Sequence, residues 1–490
     1  MGATSVLGRL GSRTWASPTA TTWGSYLSRS LTLLLVVPLI LTRLSTADIA
    51  LWYLFSTIIA LQWLADMGFS PTFARVLGYA LGGASPDQLK DLRHPVKEAI
   101  STTPNWQTIA RVWATMRVVY RRLALIALVA LSTLGTWAVV QPIARSPEPQ
   151  DAWIAWGIIL LVSIVTLRGN AYSAYLQGMN QIALLRRWES LMNLGAIVTS
   201  FTVLLLGGGL RGLVLAHQSW MALNVLRNRW LCRTIDGGRF KTFTDRTIQA
   251  EVFAAVWPSA WRSGLGIAMS YGLLQLSGII YAQLGSTEQV ATYLLSLRLL
   301  EMVSRFSQAP FYSKLPLLAQ LRAQGNIDVQ VQLARRGMAL SYWTFVVGFA
   351  ALGLCATPLL DLIDGNAAFA DPLLWALLGM GTLVERYGAM HIQLYSTTNH
   401  IIWHVANGIS GMIYLLVSVL LYQALGVYAF PAGMLAGYLG FYSWYSARHS
   451  YQTFKLRFWT FERTTALLPL SLLLIYVTVS LFVYLYPNAG

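Results

Sequence analysis

The chain has 490 residues, 56% hydrophobic and only 11% charged, with a mean hydropathy of +0.53. Soluble globular proteins carry about 25% charged residues, so this composition excludes the soluble enzyme folds and reads as an integral membrane protein. The net charge of +16 could suggest nucleic acid, but the basic residues lie between apolar runs on alternate sides. Topology explains the charge, and no nucleic-acid partner is expected.

In chain order, residues 1–22 carry Arg9 and Arg13 but no apolar core followed by a small-residue cleavage site. No removable signal peptide is read there, and the first span is expected to act as an uncleaved signal anchor. Apolar runs of about 20 residues suit one crossing each. They predict thirteen spans, at 23–43, 48–72, 120–142, 152–176, 187–206, 210–231, 257–283, 288–312, 337–360, 372–397, 401–423, 426–448 and 464–486. The first six form a bundle over 23–231, with a cytoplasmic insertion over about 73–119 that contains Pro86, Pro95 and Pro104. A cytoplasmic linker follows at 232–256, then a second six-helix bundle at 257–448, a basic linker at 449–463 and an additional transmembrane helix at 464–490.

With the N-terminus in the cytoplasm, the cytoplasmic segments collect most of the Lys and Arg, and the outer segments hold only Arg43, Arg145 and Arg211. This asymmetry sets the orientation by the positive-inside rule. Outer connections are short and acidic, with Asp48, Glu148, Asp151, Glu288, Asp361, Asp364 and Asp371. A membrane glycosyltransferase or polymerase acting outside the cell would need a sizeable outer loop for its acids and bases, so no enzyme is read. Cys232 and Cys355 fall at opposite sides of the membrane, which argues against a disulfide.

An internal repeat is visible. Trp23-Gly24-Ser25 recurs as Trp257-Pro258-Ser259, and the helix entry Asp48 to Ser56 recurs as Glu288 to Ser296. In each copy an acid opens the second helix, where an anion is favourable. Six spans separate the copies, so both run the same way. Parallel repeats are a transporter architecture in which two bundles rock about a shared cavity.

The opening helices, Trp23-Gly24-Ser25-Tyr26 through Leu39-Ile40-Leu41-Thr42-Arg43-Leu44-Ser45 and then Ala50-Leu51-Trp52 to Leu64-Ala65-Asp66-Met67-Gly68-Phe69-Ser70-Pro71 with Arg75, carry a resemblance. So does Leu176-Gln177-Gly178-Met179-Asn180-Gln181, followed by the basic Arg186-Arg187. The sequence resembles lipid-linked polysaccharide flippases of the multidrug/oligosaccharidyl-lipid/polysaccharide exporter superfamily. That resemblance implies a polyprenyl-phosphate-linked or diphosphate-linked oligosaccharide as substrate and a positively charged central cavity fed by both bundles. It also implies a place among polysaccharide polymerase and assembly proteins, in lipopolysaccharide or exopolysaccharide synthesis at a bacterial inner membrane. Many members have 12 or 14 spans, whereas 13 are read here.

Moving a phosphate through a bilayer calls for a cationic cavity, and Arg offers a planar fork that matches phosphate oxygens. The in-span candidates are Arg29, Arg168, Arg262, Arg298, Arg305 and Arg386. Arg29 and Arg262 occupy nearly equivalent repeat positions, close enough to the cytoplasmic edge to snorkel instead. In span 8, Arg298, Glu301 and Arg305 share one face, so Glu301 can pair with either Arg and leave a net positive stripe. Adjacent Glu385 and Arg386 point about 100° apart and either could pair across helices. Asp66 and Arg75 suit a bundle-stabilising contact. Glu301, Glu385 and Asp66 are the candidates for ion coupling.

His400 and His404 at i, i+4, with His391 nearby, have no third ligand, so an interfacial pair is read rather than a metal site. Nineteen Trp and 23 Tyr, among them Trp153, Trp156, Trp257 and Tyr442 near span ends, suit an interfacial belt. No phosphate-cradling loop or cytoplasmic nucleotide domain appears, and no cofactor is expected. The expected function is a flippase working by alternating access. The alternatives are a multidrug or cation antiporter of the same superfamily and, further off, a membrane glycosyltransferase or polymerase.

Overall fold

The computed structural model describes residues 15–93, 103–284, 287–362 and 369–486. Among them the secondary structure is helical throughout, with no strand. Thirteen long helices stand where the sequence predicts thirteen spans. They are α1 (Pro18–Arg43), α2 (Thr46–Ala65), α3 (Trp106–Ala144), α4 (Pro149–Gly178), α5 (Ile182–Leu205), α6 (Gly209–Thr234), α7 (Ala250–Leu284) and α8 (Thr287–Tyr312), then α9 (Ile327–Leu362), α10 (Pro372–Ser396), α11 (Trp403–Leu425), α12 (429–454) and α13 (Leu467–Leu485). Seven continuous helical stretches are long and apolar enough to cross a membrane by length and composition, one of them running unbroken from Trp403 to Phe454. At the expected insertion, 73–119, the chain is not one loop. Helix Phe69–Leu81 enters it, a short turn Pro86–Leu89 follows, and α3 begins at Trp106. Pro95 lies outside the described residues.

Local chemistry places the helix ends. Ser17 caps α1, accepting from the Ala20 amide at 3.4 Å, and Pro18 sits in the first turn, where a missing N–H costs nothing. The α2 entry is a side-chain cap: the Asp48 amide donates to Ser45 Oγ at 3.1 Å and Ser45 Oγ donates to the Asp48 carboxylate at 2.8 Å. Asp48 also accepts from Ser146 Oγ at 2.7 Å, which ties that entry to the α3–α4 turn. The side chains of the equivalent Glu288 and of Asp361, and residues Asp364, Arg9 and Arg13, lie outside what is described. Asp371 caps α10 through the Leu373 and Leu374 amides at 3.0 and 3.1 Å. Single π-turns interrupt α3 at Leu131–Gly135 and α12 at Tyr438–Tyr442, local bulges of a kind that bend a helix.

Two compact units divide the chain. The first takes residues 15–90 and 103–261, and the second 91–93 and the remainder from 262. The first thus contains α1 to α6 and the opening turns of α7; the second holds most of α7, α8 to α12 and the added α13. The division falls inside α7 rather than in the segment 232–256. Within the first unit, Phe55 stacks on Trp156 at 5.7 Å, and the Trp156 indole donates to Thr136 at 3.0 Å. Trp156, expected in the interfacial belt, is 1% exposed, because α4 turns it onto α2 rather than toward lipid. Trp153 and Trp257 are exposed, as a belt requires. α6 lies tightly on α5: a Cβ at Gly195 would stand 2.2 Å from the Trp220 ring, so only glycine admits the indole. In the second unit, Phe349 stacks on Trp375 at 4.6 Å, and Tyr476 of α13 meets Phe349 edge-on at 5.8 Å. The thirteenth helix is therefore packed into that core.

A buried arginine organises one end of the second unit. Arg322, on the short helix Leu315–Ala323, donates to the Leu92 carbonyl at 2.8 and 2.6 Å and to the Arg93 carbonyl at 2.7 Å, and lies over the Phe454 ring. The Leu92 amide donates to the Thr398 carbonyl at 2.9 Å. Residues 91–93, remote in sequence, are held there by this guanidinium and by the Leu92–Thr398 backbone bond.

Candidate functional site

The predicted charges fall into separate settings within each unit. In the first unit Arg29 does not stand alone. Its Nη2 lies 3.5 Å from Glu189 Oε2 on α5, the same oxygen that accepts from Arg186 Nη1 at 2.7 Å and from Ser25 Oγ at 3.2 Å. Arg227 of α6 lies within the field of Glu189 and is 7% exposed. Its Nε and Nη1 make no hydrogen bond among the described residues. α1 and α5 are further joined by Asn193 donating to Ser28 Oγ at 3.1 Å, and α5 and α6 by an edge-on Trp188–Trp230 contact at 5.8 Å. Arginines of α1 and α5 thus share one carboxylate oxygen, and a third arginine on α6 lies within its field. An unmade hydrogen bond on a buried group costs about 1–3 kcal/mol, and more on a charged one, so Arg227 stores an appreciable unmet demand for an acceptor.

Neither Glu189 nor Arg227 was among the sequence candidates. The signal was present in Glu189 lying three residues beyond Arg186 on the predicted fifth span. What could not be read was that α1 would deliver Arg29 to the same oxygen.

Arg168 is exposed on α4 and makes no hydrogen bond or ion pair among the described residues. It does not join the Glu189 cluster. Asp66 is a structural group. It accepts from the Ser70 amide at 2.9 Å and from Ser70 Oγ at 2.7 Å, and Ser70 Oγ in turn meets Tyr120 at 2.7 Å. It thereby anchors the start of helix Phe69–Leu81. Arg75, buried on that helix, donates to Thr72 at 3.4 Å.

In the second unit the α8 stripe takes the geometry its spacing predicts. Glu301 lies 3.4 Å from Arg298 and 3.7 Å from Arg305, and both arginine side chains are 69% exposed while Glu301 is 21% exposed. Exposed pairs of this kind are worth about 0–1 kcal/mol, so one carboxylate restrains two accessible cations and leaves one net positive charge. Arg386 is different. It is wholly buried, donates to Ser304 Oγ and to the Ser304 carbonyl, and lies 3.7 Å from Glu385. With its terminal amide turned over so that the oxygen faces the guanidinium, Gln308 Oε1 accepts from Arg386 Nη1 and Nη2 at 2.9 and 3.2 Å. As placed here Arg386 joins α8 to α10 and offers no open face to a ligand. Glu385, 24% exposed, bears electrostatically on Tyr438 and Tyr442. Tyr438 lines a narrow pocket inside this unit, together with Tyr293, Tyr414, Phe430, Asn407 and Ser410.

Arg262 influences His400 and His404. The two histidines do not share a helix face as their spacing suggested, because α11 begins at Trp403 and His400 stands in the preceding turn, where it bonds the Tyr395 hydroxyl at 2.8 Å. Burial, then the charges of Arg93 and Arg262, push the His400 pKa down. His391 is elsewhere, fully buried and 3.2 Å from Glu462, on the short helix Phe458–Thr465 that leads into α13.

No family model matches the sequence, and no curated protein does. Solved structures do match over nearly the whole chain. A mutant of the MATE transporter VcmN of Vibrio cholerae superposes with a TM-score of 0.67 at 14% identity, covering 93% of this chain and 97% of that one. A protein described as a multidrug resistance MATE family transporter of the MOP superfamily, in an outward-facing conformation, gives 0.63 at 11% identity over 90% and 97%. The eukaryotic MATE transporter AtDTX14 gives 0.61 at 11% over 96% and 98%. The chain is an all-α, multi-pass membrane protein with the MATE fold, two six-helix repeats plus one helix. The neighbours are transporters rather than enzymes.

Proposed function

We propose that the protein is a secondary transporter that moves its substrate by alternating access of two six-helix bundles. The observation that carries this reading is the superposition on MATE transporters over nine-tenths of the chain. The description of one neighbour as a multidrug resistance transporter supports antiport of organic cations over a lipid-linked oligosaccharide flippase. The aromatic pocket beside Glu385 is in keeping with it, since tyrosine faces attract organic cations by several tenths of a kcal/mol to about 2 kcal/mol. On this reading Glu385 and Glu301 are the candidates for exchanging an ion against the drug.

A second reading has its own support. Arg29, Arg186 and Arg227 near Glu189 in the first unit suit an anionic amphiphile such as a polyprenyl-diphosphate oligosaccharide at a bacterial inner membrane, handed to polymerase and assembly proteins. Orientation follows the basic-residue asymmetry, with the N-terminus cytoplasmic.

Reconstituted vesicles separate the two. An imposed sodium or proton gradient that drives uptake of ethidium, with no transbilayer movement of a fluorescent lipid-linked oligosaccharide, is the outcome expected of the antiporter. Movement of the lipid without dye transport would transfer the assignment to the flippase.

A further inference from the structure

We propose that the elbow between α12 and α13 is a membrane-surface seat that draws anionic phospholipid to the second unit. The rings of Phe458 and Trp459 sink between the headgroups, and Lys455, Arg457 and Arg463 lie over the negative charge of the leaflet. The partner is the bilayer itself, so the inference needs neither reading of what is transported.

The chain itself places this elbow. α12 ends at Phe454 and α13 begins at Leu467, and because both cross the membrane, the residues between them stand at its boundary. Lys455, in the left-handed region at φ 50° with its amide bonded to the Tyr451 carbonyl, ends α12 and turns the chain into the helix Phe458–Thr465. The inward side of that helix is fixed: Phe461, Glu462 and Thr465 are buried, and Glu462 bonds Thr465 and meets His391 of α10. Its outward side is apolar and basic. Trp459 is 72% exposed and Phe458 48% exposed, while Lys455, Arg457 and Arg463 are exposed and make no hydrogen bond or ion pair among the described residues. Trp459 and Arg463, four residues apart, share one face, and exposed Arg448 adds a further cation about two turns before Lys455. From Ser443 to Ala466 the only acid is Glu462, and it is folded inside, so nothing on this segment offsets the outward positive charge. The positive-inside rule accounts for which side holds basic residues, but it calls neither for two exposed aromatic rings among them nor for burial of the one carboxylate. Helices with large apolar side chains on one face and Lys or Arg on the other lie in the plane of the interface, and each cation near an anionic leaflet adds to the attraction. A zwitterionic surface would cover the rings and leave the cations without counter-charge. An anionic one satisfies both.

The test uses the full chain in nanodiscs, with a fluorophore on Thr460→Cys in a Cys232→Ser, Cys355→Ser background, since Thr460 is exposed beside Trp459. Discs of equal phosphatidylglycerol and phosphatidylcholine carry bromine close to the headgroup on one lipid or the other, and bromine quenches a fluorophore that it touches. The labelled protein should be quenched about fivefold more by brominated phosphatidylglycerol than by brominated phosphatidylcholine. Molar sodium chloride, which shortens the Debye length to about 3 Å, should bring the two lipids to parity. Lys455→Asn, Arg457→Gln and Arg463→Gln together should do the same, Asn being chosen because it accepts the left-handed backbone at 455. The salt arm needs no charge substitution, so it answers even where that triple variant does not fold. Trp459→Ala should lower quenching by both lipids and keep their ratio. Equal quenching by the two lipids at low salt would mean that the elbow rests on the bilayer without selecting its charge. No quenching by either would mean that the face is turned to a soluble acidic partner, and either result overturns the seat. Quenching that Trp459→Ala leaves unchanged overturns the insertion of the ring. Transport is not read, so a protein that moves neither drug nor lipid carrier still answers.

Discussion

Glu462 is 1% exposed, yet it lies outside the long helices, on the amphipathic turn before α13. It accepts from the Tyr451 hydroxyl, from Thr465 Oγ1 at 2.7 Å and meets His391 Nε2 at 3.2 Å. Burial pushes its pKa up, and the bonds from His391, Thr465 and Tyr451 outweigh that and hold it below the usual carboxylate range. Glu462→Ala would strand the buried His391 and Thr465 and the half-buried Tyr451, a loss of about 1–3 kcal/mol for a buried polar group left without its partner, seen as a lower melting temperature in detergent; an unchanged value would show that α13 docks by apolar contact alone. His400 gives the pH-dependent counterpart. Its pKa is lowered in the folded chain, so below about pH 6.5, the ordinary histidine value, the unfolded chain takes up a proton that the folded one refuses. Its contribution is complete above that pH and is lost as the pH falls. Melting temperature should drop between pH 6.5 and 5 more steeply in wild type than in His400→Asn, and equal slopes would remove His400 from the account.

Among elements, the α5–α6 contact depends on the absence of a side chain at Gly195, since the Trp220 indole is pinned by its bond to Thr199 at 2.8 Å. Gly195→Val should cost about 1–3 kcal/mol through overpacking and loosen the walls around Glu189. Retained stability in a denaturation series would mean that the indole swings clear. Arg322 donates three of the hydrogen bonds that hold segment 91–93, so Arg322→Ala should loosen it and speed proteolytic cleavage between residues 82 and 105, with the remaining helices intact by circular dichroism. The order of the long helices was legible because the apolar runs are long and bounded by charge or proline. The helix Phe69–Leu81 was hidden because its residues are too few and too mixed to resemble a span. The His400–His404 pairing misled because periodicity assumes a helix already begun, and α11 starts later.

For the whole molecule, the orientation can be checked without any knowledge of substrate. In a Cys232→Ser, Cys355→Ser background, a membrane-impermeant maleimide should label Arg145→Cys from outside intact cells and leave Arg246→Cys unlabelled until the membrane is opened; the reverse pattern would invert the topology.

The sequence by itself determined that the protein is a membrane-spanning helical repeat with one added helix, since apolarity, run length and charge asymmetry are properties of the chain read one segment at a time. It also determined the α8 stripe, because Arg298, Glu301 and Arg305 belong to one helix and their contact follows from 3.6 residues per turn. Only the tertiary structure decided which charges are exposed and which are enclosed. Arg386 and Arg29 look alike as arginines in apolar runs, but one is enclosed by Ser304, Gln308 and Glu385 and the other opens onto Glu189. Ser304 lies 82 residues from Arg386 and Glu189 160 residues from Arg29, and no local rule relates residues so far apart. Chain folding, which packs helices by shape and burial, determines which of them meet.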